Sequence, residues 1–175
     1  ETANSVWGNE ASVLVGDYVY SRAFEMMVSL GSMRIMDVMA TATNRIAEGE
    51  VLQLMNAHDP ETTEERYFEV VYRKTAQLFE AGSQIAAILA GSPPHIESAV
   101  TRYGKHLGTA FQLIDDVLDY SADRDTLGKN LGDDLAEGKP TLPLIYALRT
   151  GTDDQRTLIR SAIEHGSLEH LQQIT

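Results

Sequence analysis

Three carboxylates on one face of one helix constrain this chain more than any other feature. The run Phe111-Gln112-Leu113-Ile114-Asp115-Asp116-Val117-Leu118-Asp119-Tyr120 closes a stretch, about 96–121, whose apolar spacing predicts one long amphipathic helix. At about 100° per residue, Gln112, Asp115, Asp116 and Asp119 fall within an arc of roughly 100°. Tyr103, Leu107, Ala110, Phe111, Ile114 and Leu118 fall on the opposite side. The pattern predicts that the apolar face packs and that the other face carries the carboxylates and an amide. Like charges three and four residues apart destabilise an isolated helix by roughly 0.2–0.5 kcal/mol per pair. A hard divalent cation would offset that repulsion, and Mg2+ takes one or two carboxylates plus phosphate oxygens and water. A solvated acidic surface is the alternative.

The segment after the helix favours the cation. Residues 125–142 read DTLGKNLGDDLAEGKPTL, so glycines, further acids, Lys129 and Lys139 crowd a short segment before the next helix. Lysines brought to the same end of an acidic helix describe a site for a metal and a diphosphate better than they describe a wetted surface.

Asp115-Asp116-Val117-Leu118-Asp119, preceded by Phe111-Gln112 and followed by Gly138-Lys139-Pro140-Thr141, resembles the second aspartate-rich region of the trans-isoprenyl diphosphate synthases. Within that family the chain is similar to the long-chain polyprenyl synthases of bacteria, the octaprenyl type in particular. The resemblance implies an all-α fold: a bundle of long antiparallel helices around a central apolar cavity, the isoprenoid synthase fold. It also implies a single domain over residues 1–175, truncated at both ends, because the family's first aspartate-rich motif has no counterpart in this sequence.

Taken in order, the chain reads as helices throughout. Residues 11–30 carry a stripe of Val13, Tyr20, Phe24, Met27 and Leu30, interrupted by Asp17, which calls for a hydrogen-bond donor if it is buried. Asn4 is the expected cap of a short preceding helix, Asn9 that of this one, and Gly31 the expected cap at its end. A second helix, 32–57, offers Ile35, Val38, Met39, Ala42, Ile46 and Leu52 to a core. Asp59-Pro60 stops it. Thr62-Thr63-Glu64-Glu65 starts a third, with cap and first-turn acids in the expected places. That helix runs to about residue 90, with Phe68, Val71, Thr75, Leu78, Phe79, Gly82, Ile85, Ala86 and Leu89 on its apolar side. Gly91-Ser92-Pro93-Pro94 breaks the chain before the acidic helix. His58, His95, His106, His165 and His170 are scattered without metal-ligand spacing and read as surface residues.

The resemblance assigns roles residue by residue. Asp115 and Asp116 contact metal, with Asp119 direct or through water. Lys74, Lys129 and Lys139 neutralise diphosphate. Gln112 and Thr75 donate hydrogen bonds near the reacting carbon or the diphosphate. Gln53, from the Gly49-Glu50-Val51-Leu52-Gln53 stretch, lies beside the cavity. Met27 and Met39 are ordinary adaptable core fillers by composition, and by resemblance they are the floor that limits product length.

The implied reaction condenses an allylic diphosphate with isopentenyl diphosphate, with Mg2+, to a long all-trans polyprenyl diphosphate of the kind used as a quinone side-chain precursor. A homodimer in the cytoplasm is implied too, and a piece this short is expected to have little activity alone. Two alternatives stay open: a terpene cyclase on the same fold, and a non-catalytic partner subunit. A formal charge of −12 argues against non-specific binding to nucleic acid or anionic membrane. Cysteine is absent, which excludes disulfides and thiolate metal sites. No apolar run approaches the ~20 residues that span a bilayer.

Overall fold

The computed structural model describes residues 2–121, 131–169 and 171–174, and among them all regular structure is helical. Two compact units separate, residues 1–40 and residues 41–175. None of the described helices is long and apolar enough to cross a membrane.

In the first unit, α1 spans Ala3–Ser29. Thr2 rather than Asn4 caps it, its hydroxyl oxygen accepting from the Ser5 amide at 3.2 Å. Gly8, at φ 82°, kinks the helix. Beyond Leu30, Gly31 takes a left-handed φ of 64° and its amide donates to the Val28 carbonyl at 3.0 Å, the predicted helix stop. The expectation of a packed stripe with a hydrogen-bonded acid does not hold: α1 buries no residue and Asp17 is exposed. Met27 and Met39 are half-buried, and Ile35 is fully buried. Helix α2, Met33–Asn56, begins in this unit and continues into the next.

In the second unit the helix expected from 64 to 90 is present with one interruption. Helix α3 spans Glu64–Val71, a π turn spans Tyr72–Ala76, and α4 spans Gln77–Leu89. Thr63 caps the start, accepting from the Arg66 amide at 3.3 Å, with Glu64 and Glu65 in the first turn. In the π turn the Gln77 amide reaches back to the Tyr72 carbonyl. One extra residue per turn rotates everything beyond it by about 100°. That rotation explains why the apolar stripe predicted for α4 is not the one that packs. Leu78, Ala86 and Leu89 are exposed, whereas Ala76, Gln77, Ala81 and Ala87 are buried.

Helix α5, Pro94–Ser121, follows a short turn and runs antiparallel to α3 and α4. Here the predicted packing face is reversed. Tyr103 is 64% exposed, Phe111 56% and Ile114 59%, while Asp116 is 3% exposed. The cause is glycine. Gly108 lies so close to the π turn that a Cβ there would sit 2.7 Å from the Ala76 Cα, and one at Gly104 would sit 2.5 Å from the Phe79 carbonyl oxygen of α4. Backbones can approach this closely only where a side chain is missing. The glycine side of α5, which continues into Gln112 and Asp116, therefore faces inward, and the large apolar residues face out.

The remaining described elements are α6 (Asp133–Ala136), α7 (Leu142–Thr150), α8 (Asp153–His165) and α9 (Leu171–Ile174). Leu135, Leu144, Ile159, Ala162 and Ile163 form one core cluster, with Tyr120 packed against it. Tyr67, Val71 and Ile145 form a second, packed by Leu113 and Leu142. These clusters fix the C-terminal end of α5 against the 137–141 loop.

Candidate functional site

A cavity of about 190 Å3 opens in the second unit where α2, α3, the π turn, α5 and the 137–141 loop converge. Most of the residues that line it carry polar side chains. Helix α2 supplies Gln53 and Asn56; α3 supplies Tyr67, Val70 and Val71; the π turn supplies Lys74 and Thr75. Helix α5 supplies Gln112, Asp115 and Asp116, and the C-terminal elements supply Asp134, Lys139, Pro140 and Thr141. Pockets for drug-sized ligands measure about 300–1,000 Å3, so this smaller space suits a charged head group rather than a long hydrocarbon.

Lys74 reaches the cavity because α2 packs directly on the π turn. A Cβ on Gly49 would lie 2.7 Å from the Lys74 amide nitrogen. One turn further along α2, Gln53 Oε1 accepts from Lys74 Nζ at 3.1 Å, and Glu50 pairs with the same ammonium at 3.2 Å. Glycine, Glu50 and Gln53 thus act together on one lysine, which gives the Gly49–Gln53 spacing its meaning.

Opposite, a chain of donors ends on one carboxylate. Thr75 Oγ1 donates to Gln112 Oε1 at 2.9 Å, and Gln112 Nε2 donates to Asp116 Oδ1 at 2.6 Å. The Tyr67 hydroxyl donates to Asp116 Oδ2 at 2.6 Å. Burial pushes the Asp116 carboxyl above its ordinary value, aided by the charges of Asp134 and Asp115, while the two donors act against it. Burial and the same Asp116 contact drive the Tyr67 phenol far upward, so it stays a protonated donor.

Lys139 enters from the loop. Its ammonium meets Asp134 at 2.9 Å and Glu137 at 2.6 Å. Burial would lower its pKa, but these two acids outweigh it and raise it. The loop is held by His58, which sits at a left-handed φ of 63°. The His58 amide donates to the Gly138 carbonyl at 2.8 Å, and its ring Nδ1 lies 3.1 Å from the Ile163 carbonyl. His58, though solvent-exposed, is therefore a structural tie rather than a loose surface residue.

Of the residues singled out in the sequence, the cavity brings together Gln53, Lys74, Thr75, Gln112, Asp115, Asp116 and Lys139. Asp119 has a different set of partners: its two carboxylate oxygens accept the Asp133 and Asp134 amides, each at 3.2 Å, at the start of α6. Lys129 lies outside the described residues, and Met27 and Met39 belong to the first unit. Residues that sequence reasoning missed include Tyr67, Asn56, Thr62 and Asp134. Neither Tyr67 nor Asn56 was detectable locally: Tyr67 meets Asp116, 49 residues later, and Asn56 is oriented by Arg66 Nη2, ten residues away beyond a turn, at 2.6 Å.

The donor set suits a metal carried on a ligand rather than one caged by protein. Among the described residues no three acidic or histidine side chains converge closely enough to hold an ion alone. Mg2+ needs only one or two carboxylates when phosphate oxygens and water complete its shell. Asp115 and Asp116 meet that requirement. The buried Thr62 hydroxyl on the cavity wall has no hydrogen-bond partner among the described residues, a polar atom that a bound oxyanion or water would satisfy.

Comparison with known proteins finds similarity to one family along the whole chain. A family model described as polyprenyl synthetase matches residues 1–175. The octaprenyl diphosphate synthase of Escherichia coli (strain K12) is 61% identical over 170 residues, covering 97% of this chain and 53% of that protein. The all-trans-nonaprenyl-diphosphate synthase (geranyl-diphosphate specific) of Rhodobacter capsulatus is 51% identical over 173 residues, 99% of this chain and 53% of that one. A decaprenyl diphosphate synthase structure from Rhodobacter capsulatus superposes with a TM-score of 0.88 at 43% identity, covering 99% of this chain and 54% of that one. A polyprenyl synthase from Caulobacter crescentus CB15, complexed with calcium and isoprenyl diphosphate, gives 0.80 at 41%, covering 98% and 57%. The chain spans about half the length of the curated relatives it matches.

Proposed function

The chain belongs to the polyprenyl synthetase family, and we propose that it carries the metal–diphosphate half of a long-chain prenyl transfer site. The observation that supports this most strongly is the meeting of Asp115 and Asp116 with Lys74 and Lys139 around one polar cavity. The substrates are an allylic diphosphate and isopentenyl diphosphate. The allylic C–O bond breaks, diphosphate departs with the electron pair, the isopentenyl double bond attacks the cation, and a proton is lost.

The barrier lies in charge developing on the departing diphosphate. Groups fixed beforehand around that charge stabilise the transition state more than the ground state. Lys74 and Lys139 are held by Gln53, Glu50, Asp134 and Glu137 before any ligand arrives. Asp115 and Asp116 would hold Mg2+, which supplies Lewis-acid charge at the diphosphate oxygens. Gln112 and Thr75 form the hydrogen-bonded wall between the lysines and Asp116. By resemblance, Lys129 adds a further cation, Asp119 completes the acidic motif, and Met27 and Met39 limit product length. We further propose that residues 1–175 form one stretch of a longer single domain, cytoplasmic and homodimeric. The apolar residues exposed along α1, among them Val13, Leu14 and Tyr18, support the dimer.

The test is binding of a non-ionisable allylic diphosphate analogue. Binding should require Mg2+ and fall at least tenfold in both Lys74→Ala and Asp115→Ala. Metal-independent binding, or binding indifferent to both substitutions, would overturn the assignment.

A further inference from the structure

Tyr67 lies at the centre of the site and has no role in the reading of the sequence. It is 6% exposed, packed in a core cluster with Val71 and Ile145, and its hydroxyl is aimed at a carboxylate 49 positions later in the chain. Asp116, at 3% exposure, would be costly to bury as a carboxylate without donors. It has two, both at 2.6 Å: Tyr67 on Oδ2 and Gln112 on Oδ1. Bonds this short, one to each oxygen, are at the strong end of the range. They also fix the carboxylate plane, since each oxygen is pinned from a different helix. Each oxygen keeps a second lone pair. Gln112 is itself oriented by Thr75, but the Tyr67 ring is oriented by core packing alone.

We propose that Tyr67 is a positioning residue that fixes the Asp116 carboxylate in the orientation needed by a divalent cation bound with diphosphate. The proposal rests on the metal–diphosphate reading of the cavity. Partners of ligating carboxylates commonly contribute 10–100-fold to metal affinity, and Tyr67 is built into the core to supply that kind of support.

The experiment titrates Mg2+ against the intact chain with inorganic pyrophosphate as the probe, followed by calorimetry, for wild type, Tyr67→Phe and Ile145→Ala. Ile145 packs in the same cluster but does not line the cavity. Tyr67→Phe should raise the Mg2+ concentration needed for half-maximal pyrophosphate binding by about tenfold or more. Ile145→Ala should lower the thermal midpoint at least as much as Tyr67→Phe, yet leave that concentration within about twofold of wild type. An unchanged Mg2+ dependence in Tyr67→Phe overturns the positioning role alone. An equal shift in Ile145→Ala overturns it too, by making the effect one of general loosening. Failure of the wild-type chain to bind pyrophosphate with Mg2+ overturns the reading of the cavity and this proposal with it.

Discussion

Gly108→Ala tests the orientation of the acidic helix directly. The new methyl would meet the Ala76 Cα at 2.7 Å and Phe79 at 2.9 Å. Ordinary contact begins near 3.4 Å, so α5 and α4 must part by about 0.7 Å. A gap of 0.5–1 Å forfeits about a quarter to a half of each dispersion contact along the pair, and overpacking of this kind costs about 1–3 kcal/mol. Replacing a helical glycine returns about 1 kcal/mol, leaving a net loss of up to about 2 kcal/mol. In a chain of this size each kcal/mol moves the midpoint by about 2–4 °C. Thermal unfolding should therefore show no gain and a fall of up to about 8 °C. Gly82→Ala, on the same helix pair but with nothing within 4 Å of the added methyl, should instead gain up to about 1 kcal/mol. If Gly108→Ala stabilises as Gly82→Ala does, α5 does not turn its glycine side inward, and the inward placement of Asp116 fails with it.

Other substitutions separate stability from binding. Asp116→Asn keeps an acceptor for Tyr67 but sets an amide NH2 against the Gln112 Nε2 donor. It should lower the metal-free midpoint by about 2–4 °C, the shift of roughly 1 kcal/mol, and abolish Mg2+-dependent pyrophosphate binding. Thr63→Ala removes the cap that accepts the Arg66 amide and should cost about 0.5–2 kcal/mol by denaturant unfolding. At Asp59, burial pushes the carboxyl up, but the Arg66 hydrogen bond and charge and the Glu61 amide outweigh it and hold the group below its ordinary 3.8. A depressed folded value means that Asp59 stabilises the fold above pH 3.8 and that this stability is lost as pH falls through the lower, folded value. Asp59→Asn should therefore flatten the acid limb of the stability–pH curve, and an unchanged limb would remove Asp59 from the account.

The sequence carried the helices and most of the site, but not the faces. Caps, breaks and the DDVLD and GKPT motifs are local, and the chemistry they imply is visible residue by residue. Helix orientation is not local. On α5 the hydropathy of Phe111 and Ile114 outvoted two glycines four residues apart, although close approach at Gly104 and Gly108 decides which side packs. On α3 the predicted stripe already missed at Phe68, which is exposed while its neighbour Tyr67 is buried, and beyond Val71 the π turn at Tyr72–Ala76 adds a residue that no periodicity rule anticipates. Asp119 looked equivalent to Asp115 and Asp116 by spacing, yet the fold of residues 132–136 brings two backbone amides to it instead. Tyr67 escaped notice because its partner lies 49 residues away, a distance only the packed helix pair closes.

The central claim is that Asp115 and Asp116 face Lys74 and Lys139 across a space that takes diphosphate with a divalent cation. Diffraction from crystals of this chain soaked with Mn2+ and pyrophosphate measures that most directly. The account predicts an anomalous peak within metal–oxygen distance of Asp115 or Asp116, bridged to a pyrophosphate whose remaining oxygens contact Lys74 and Lys139. A peak held by other acids, or pyrophosphate bound away from both lysines, would contradict it.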